Sequence, residues 1–582
     1  MKRLFNSFAF KCGLLILFAA AVYAPVIKAD FVKIDDSWWI TKNQLLRDAS
    51  GLKKIWFEPM ASPLYCPMVL TAFWVQYHLW GLDPEGYHSV NVLFHTASAI
   101  LLLLILMRLS VPGALLTSLI FLIHPAQVES LAWAAELKNI LSGFFSLASV
   151  WAFLRFNPPE ENQSEQSPLR YYLISLFLFV CALLSKPTVA TTAPALLVVY
   201  WWKRGRITLR DVLLIAPMFI LGVAMGIAIT KLEGSLNMLE GIKAVSQISA
   251  APGSSFTIVE RCLIAGHAIW FYTSKLLWPI HLTCFYTAWE INPTSWRQYI
   301  YPATAIAAIV LLWSFRKKIG LGPISAVLIF AGTLAPVLGF IDYATMADTF
   351  VQDHFVYMAC ISFIALLSAS GAVLFRRLGP RFERVKQASI ALVIISLSLL
   401  SFRQGNFYRR NEFLRINHIR ICPDSPIAQI SMGDTMLQKG NLDKAILYIQ
   451  EAIRLRPDYG EAHNDMGVLL MNQGKFEEAI PHFYKSIETN PIQLAVHFNL
   501  GYALARTGKL DEAIAEFNNG LTLVPENAKA RYSLGNLYML KGNFDAAIQQ
   551  FREALRINPN YVEASNSLKY ALEKKNGQQG TR

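Results

Sequence analysis

Four prolines, Pro457, Pro491, Pro525 and Pro559, stand 34 residues apart, and Gly433, Gly467, Gly501 and Gly535 keep the same step. So do Gly440, Gly474, Gly508 and Gly542, and so do Ala445, Ala479, Ala513 and Ala547. Small residues at fixed positions let paired helices approach closely, and a recurring glycine ends or joins them. The chain from about residue 426 therefore repeats one helix pair four times.

A 34-residue period with a closing proline is the tetratricopeptide signature, which stacks into an α-solenoid. The pattern predicts a repeat domain over 426–575, four repeats plus a capping helix "YVEASNSLKYALEKK", with a polar tail over 576–582. With each closing proline as position 32, position 6 holds Ser431, Asp465, Asn499, Ser533 and Ser567. Asp465, Asn499 and Ser533 are the candidate acceptor-binding residues, a polar stripe that would hydrogen-bond an extended peptide. Any exposed helix face is also polar.

The residues before this domain have a different character. The 582-residue chain is 54% hydrophobic and 16% charged, with a mean hydropathy of +0.36. Those values fit a polytopic membrane protein. Apolar runs long enough to span fall near 11–28, 88–108, 113–131, 139–156, 170–186, 188–203, 211–230, 298–315, 321–341, 355–375 and 387–403. The expected architecture is all-α, with about eleven spans over 1–404, a linker over 405–425, and then the solenoid. The segment 262–282, with its tryptophans and Lys275, reads as interfacial or re-entrant. "IKA" before Asp30 loosely resembles a signal-peptide cleavage site, but Ile27 fits it poorly, so the first span reads as an uncleaved anchor.

A net charge of +13 would suggest nucleic acid in a soluble protein. Here the basic residues cluster in short loops between apolar runs, so the membrane accounts for them and nucleic acid is not a partner. Lys2, Arg3, Lys11, "WWKRGR" (Lys203, Arg204, Arg206), "RKK" at 316–318 and "RRLGPRFERVK" at 376–386 share one side, the cytoplasmic one. The opposite side then receives the loop "FVKIDDSWWITKN", Glu129, Lys186, Asp353, His354 and everything beyond 404. The seven cysteines show no CxxC or metal-ligand spacing. No GxxxxGK[ST], GxGxxG or GxSxG motif marks nucleotide or hydrolase chemistry.

Three stretches are too polar for lipid. "GYHSVNVLFHTASAILLLL" carries His88, Asn91 and His95 at helical spacing; "IHPAQVESLAWAAELKNILSGFF" carries His124, Glu129 and Lys138; "LLSKPTVATT" carries Lys186. Ionisable groups at span ends face protein or a water-filled cavity. The succession F-V-x-x-D-D, H-x-x-N-x-x-x-H, H-P-x-x-V-E-S-x-A-W, L-S-K-P and V-Q-D-H-F-V-Y-M-A, followed by the repeats, resembles the transmembrane and tetratricopeptide-repeat (TMTC) family in a bacterial-type form. The chain departs from that family at "ELKN", where Leu137 replaces an arginine, and at "QDHF".

The resemblance implies a GT-C glycosyltransferase fold, a polyprenyl-phosphate-linked sugar as donor, and a catalytic acidic pair in the first external loop. It further implies a periplasm-facing enzyme of the bacterial inner membrane that glycosylates a protein or peptide acceptor. An inverting transfer needs a base for the acceptor hydroxyl and positive charge for the departing lipid phosphate. Asp35 and Asp36 are the candidate base and optional ligands of a divalent cation (Mg or Mn), and Glu129 joins them. Lys138, Lys186 and His354 are the donor-phosphate candidates, with His88, Asn91, His95, His124 and Asp353 in support. Two other functions fit the same architecture: a non-catalytic membrane scaffold for envelope complexes, and a transferase acting on lipid or polysaccharide.

Overall fold

Apolar runs and 34-residue repeats both resolve into helices. The structure, a computed structural model, describes residues 7–33, 35–62, 64–159, 168–239, 256–341, 346, 348–489, 491 and 494–579. Lys2, Arg3 and tail residues 580–582 lie outside the described residues. Two units separate, one within residues 1–235 and 255–421 and the other from Cys422 onward.

In the first unit, six helices are long and apolar enough to cross a membrane: Pro84–Arg108, Ala134–Phe156, Leu209–Ile229, Trp296–Ile319, Cys360–Leu378 and Pro380–Tyr408. A seventh candidate, Ala114–Ile123 with Pro125–Ala132, bends by 52°. Eleven spans are not reached on length. Phe8–Val22, Arg170–Leu183, Thr192–Arg204 and Gly322–Leu334 have 15, 14, 13 and 13 residues. At 1.5 Å per residue these rise only about 20–22 Å, against the ~30 Å of a hydrocarbon core. The chain is an integral membrane protein with six to seven such helices, followed by a solenoid. The 262–282 segment contains most of a 20-residue helix, Ile258–Leu277, begun by a Thr257/Glu260 capping box and carrying Glu260, Arg261 and Lys275.

The breaks in the short and bent helices have local causes. Pro125 cannot donate to a helix running through 124, so the chain turns there. His124 fills the gap: the Ala126 N–H donates to its Nδ1 (3.2 Å), and its Nε2–H donates to the Leu276 carbonyl (3.1 Å). His95 supports the same segment by donating from Nε2 to the Leu122 carbonyl (3.1 Å), with Tyr357 OH on its Nδ1 (3.0 Å). His88 and Asn91 each donate to the Leu131 carbonyl, at 3.3 and 3.2 Å. Three polar residues thus satisfy carbonyls that the bend leaves orphaned inside the protein, and His124 satisfies the Ala126 N–H there while tying the bend to the end of the Ile258–Leu277 helix.

In the second unit the helices pair as the period requires. Gly440, Gly474, Gly508 and Gly542 take φ of +72° to +83° at the turn inside each pair, a conformation glycine adopts at no steric cost. A Cβ on Gly501 would meet the Phe517 ring at 2.8 Å, and Gly467 and Gly535 stand likewise against Phe483 and Phe551. One periodic latch joins these contacts. Gln429, His463, His497 and Arg531 each reach back six residues to a proline carbonyl, at Pro423, Pro457, Pro491 and Pro525. The 34-residue step therefore begins at Pro423, one period before the first proline that stands out in the sequence.

Candidate functional site

The loop after Ala24–Ile27 carries the acidic pair, and the two carboxylates do different work. Asp36 is fully buried. Its Oδ2 accepts from the Val32 N–H and its Oδ1 from the Ala135 N–H, both at 2.7 Å. One bond closes its own loop; the other fastens that loop to a segment 99 positions away. Burial pushes its carboxyl up to about 7 against the pull of these N–H groups. Asp35 keeps 40% of its side chain exposed and lies 3.7 Å from Lys138 Nζ. Burial raises its pKa, with Lys138 opposing.

The residue that organises the cluster is Glu136, which no sequence motif singles out. It is 1% exposed and pairs with Lys138 at 2.8 Å. Its Oε1 stands 3.9 Å from His354 Nε2, and Asn139 Nδ2 donates to its Oε2. Asn139 Oδ1 in turn accepts from Lys186 Nζ. One buried carboxylate therefore contacts Lys138 and His354 directly, and Lys186 through an amide. The signal for it was local: an acid two residues before Lys138 where a span begins.

The three donor-phosphate candidates then divide. Lys138 is held by Glu136 and Asp35 and lies over the Trp39 ring at 5.7 Å. The His354 Nδ1–H donates to Glu129 Oε1 at 2.7 Å. Burial pushes the imidazole down to about 3, with Glu136 opposing and Lys186 and Lys138 adding to the fall, so His354 offers a polar edge without charge. Lys186 is the cation whose recorded partner is a neutral amide oxygen. Burial lowers its pKa to about 8, with Glu136 opposing and Lys138 adding to the fall. Asp353 accepts from Tyr286 OH at 2.9 Å, and the cation that acts on it is Lys275, not one of the three donor-phosphate candidates. His88, Asn91, His95 and His124 serve the backbone of the bent segment, as described. Leu137 is fully buried among apolar side chains.

A divalent cation does not fit the acidic pair. Both Asp36 oxygens are taken by backbone N–H groups, and Asp35 Oδ2 faces an ammonium. Among the described residues no group of three or more His, Cys, Asp or Glu is poised to hold a metal.

Beside this cluster lies a cavity of about 1070 Å³, lined mainly by apolar side chains of several helices, with Asn139, Lys186 and His354 in its wall. In the solenoid, Asp465, Asn499 and Ser533 occupy equivalent turns of successive first helices and are each half-buried. Asn499 donates to Asn464 of the preceding repeat at 3.3 Å. Burial, with Glu461 and Asp434 adding to it, raises Asp465 to about 8.

Fold and site together define a class: a polytopic α-helical membrane protein with a buried carboxylate–lysine cluster at a lipid-sized cavity, followed by tetratricopeptide repeats. The tetratricopeptide repeat model matches residues 430–493, 464–522 and 498–562. The chain is a distant homologue of the TMTC proteins over most of its length. It is 23% identical to protein O-mannosyl-transferase F38B6.6 of Caenorhabditis elegans, covering 74% of this chain and 60% of that protein. It is 22% identical to protein O-mannosyl-transferase TMTC4 of Mus musculus, covering 73% and 64%. The chain thus spans about three fifths of the length of these relatives. Among solved structures, MamA matches with 25% identity and a TM-score of 0.25, over 26% of this chain and 82% of MamA.

Proposed function

We propose that this chain is a membrane glycosyltransferase that moves a sugar from a polyprenyl-phosphate donor to a hydroxyl of a protein acceptor. The observation that carries this reading is Lys186, an ammonium hydrogen-bonded to the neutral Asn139 amide with Glu136 acting on it from beyond that amide, set in the wall of a mainly apolar cavity of about 1070 Å³. That volume exceeds the ~300–1,000 Å³ usual for small-molecule pockets and suits a lipid tail. The relatives' description as protein O-mannosyl-transferases supports the same class of chemistry.

The residues take separate roles. Asp35 accepts the proton of the acceptor hydroxyl as its oxygen bonds to the anomeric carbon. The bond from that carbon to the phosphate oxygen breaks, and the electron pair leaves with the polyprenyl phosphate, whose charge Lys186 meets. Glu136 and Asn139 hold Lys186 and Lys138 in place, while Asp36 anchors the Asp35 loop. Glu129 sets the orientation of His354. Asp465, Asn499 and Ser533 on the repeats bind the protein acceptor.

The experiment is transfer from a synthetic polyprenyl-phosphate sugar by purified protein. Lys186→Ala is expected to raise the donor KM at least tenfold, since a charge-assisted contact contributes about 1.5–3 kcal/mol. For the unmutated protein, kcat/KM should fall as pH rises through about 8, because Lys186 is charged below that value and neutral above it. An unchanged donor KM in Lys186→Ala would remove the lysine from the donor site.

We further infer an eleven-crossing topology in a bacterial inner membrane, the short helices included, with cluster and repeats facing the periplasm. The Lys/Arg asymmetry of the loops supports it. Reporters fused after residues 205 and 318 should then read cytoplasm, and those after 60 and 420 periplasm. A cytoplasmic signal at 420 overturns the count.

A further inference from the structure

The cavity beside Lys186 has a second charged end. Its wall follows one face of the Cys360–Leu378 helix, where Ile361, Ala365, Ala369, Val373 and Arg377 recur every four residues. From Ile361 to Arg377 is about 24 Å at 1.5 Å per residue, most of the ~30 Å hydrocarbon core. His354 lines the cavity just before the start of this helix, and Arg377 lines it at the last turn. Lys318, from the last turn of the Ile300–Ile319 helix, which packs on Gly322–Leu334 as Cys360–Leu378 does, joins Arg377 in the lining.

Both side chains are exposed, and among the described residues neither forms an ion pair with a carboxylate. Basic residues are common at span ends, and Lys317 and Arg376 beside them follow that rule. Lys318 and Arg377 differ in coming from two helices and lining one cavity. Hydroxyls of Thr192, Ser325 and Ser370 also line the groove, and Ser325 Oγ is buried without a hydrogen-bond partner.

We propose that Lys318 and Arg377 form a second lipid-phosphate site, at the end of the groove opposite the Lys186 cluster. Each leaflet contributes about 15 Å of hydrocarbon, so a stretch of about 24 Å passes the bilayer midplane and puts its Arg377 end in the leaflet opposite the Lys186 cluster. The headgroup is an anionic phosphate, because two cations without a carboxylate partner among the described residues, Lys318 lying only over the Phe315 ring at 5.8 Å, recognise charge. Its source is an anionic glycerophospholipid of that leaflet, the anion that basic residues at a span end meet in the surrounding membrane. This inference shares the membrane-embedded groove with the proposed transferase but does not need the transfer reaction.

Native mass spectrometry of the full chain in detergent tests it, with phosphatidylglycerol, phosphatidylcholine and a polyprenyl phosphate added in turn. Phosphatidylglycerol should be retained over phosphatidylcholine, and K318A/R377A should weaken its retention about tenfold. The control K317A/R376A should retain it as the unmutated chain does. If K318A/R377A loses polyprenyl phosphate instead, the site stands and its source is the carrier lipid. Unchanged retention of both phosphate lipids, or equal loss in the control, overturns the proposal. Lys186→Ala separates the two readings: it should lose polyprenyl phosphate but keep phosphatidylglycerol. Should it keep both, the donor reading fails while the Lys318–Arg377 site is untouched.

Discussion

Asp35→Asn is expected to fold, to insert and to retain lipid donor, yet to transfer sugar about 10²–10⁴-fold more slowly, equivalent to about 3–5 kcal/mol of transition-state stabilisation. The side chain is 40% exposed and touches Lys138 at 3.7 Å, so an amide of the same shape disturbs little around it. Asp36→Asn should behave differently. Its two oxygens accept from Val32 and Ala135, and an amide can present only one acceptor to two N–H donors. Leaving one buried N–H unsatisfied costs about 1–3 kcal/mol, so this variant should lose stability as well as activity. Excess Mn²⁺ or Mg²⁺ should rescue neither. The outcome that sinks the assignment is a purified Asp35→Asn protein transferring at the unmutated rate, or one rescued by the metal.

As the proposed base, Asp35 should also set the acid side of the pH profile. A base works deprotonated, and burial raises this carboxyl, so kcat/KM should rise with pH through a value above the ordinary carboxylate range. Combined with the fall through about 8 from Lys186, the profile is bell-shaped, and Asp35→Asn should flatten its acid limb.

The repeats were legible because their determinants are local. Each small residue meets a partner one helix away, as Gly501 meets Phe517, so the period appears directly in the chain. Pro423 escaped because the residues before it carry no earlier repeat to align with. Hydropathy locates the six long helices but does not sense a break. Helix Phe8–Val22 stops within the apolar run 11–28, and the 113–131 run bends at His124. At the site, the spacing of His88, Asn91 and His95 suggested chemistry, but their partners are the backbone carbonyls of Leu131 and Leu122. Such partners carry no residue identity and leave no trace in a sequence. Asp36 shows the same blindness, since the group that fixes it is the N–H of Ala135.

Glu136 supplies the sharpest test of how the cluster is held. It is a buried carboxylate against Lys138 at 2.8 Å, itself only 13% exposed, and through Asn139 it places Lys186. Glu136→Gln keeps the shape but leaves Lys138 with Asp35 alone, at 3.7 Å. Removing one partner of a buried ion pair costs about 3–5 kcal/mol, because the other charge remains uncompensated. The variant should therefore lose stability on that scale, read as a lowered midpoint of thermal unfolding in detergent. Its donor KM should rise as Asn139 lets Lys186 move. Glu136→Gln combined with Lys138→Met removes both charges and should recover most of the stability without recovering the donor KM. That split separates a positioning role from plain packing: a merely structural glutamate would move stability and donor KM back together. A single variant that unfolds with the unmutated protein would show that Lys138 is held by Asp35, and that Glu136 is not the hub.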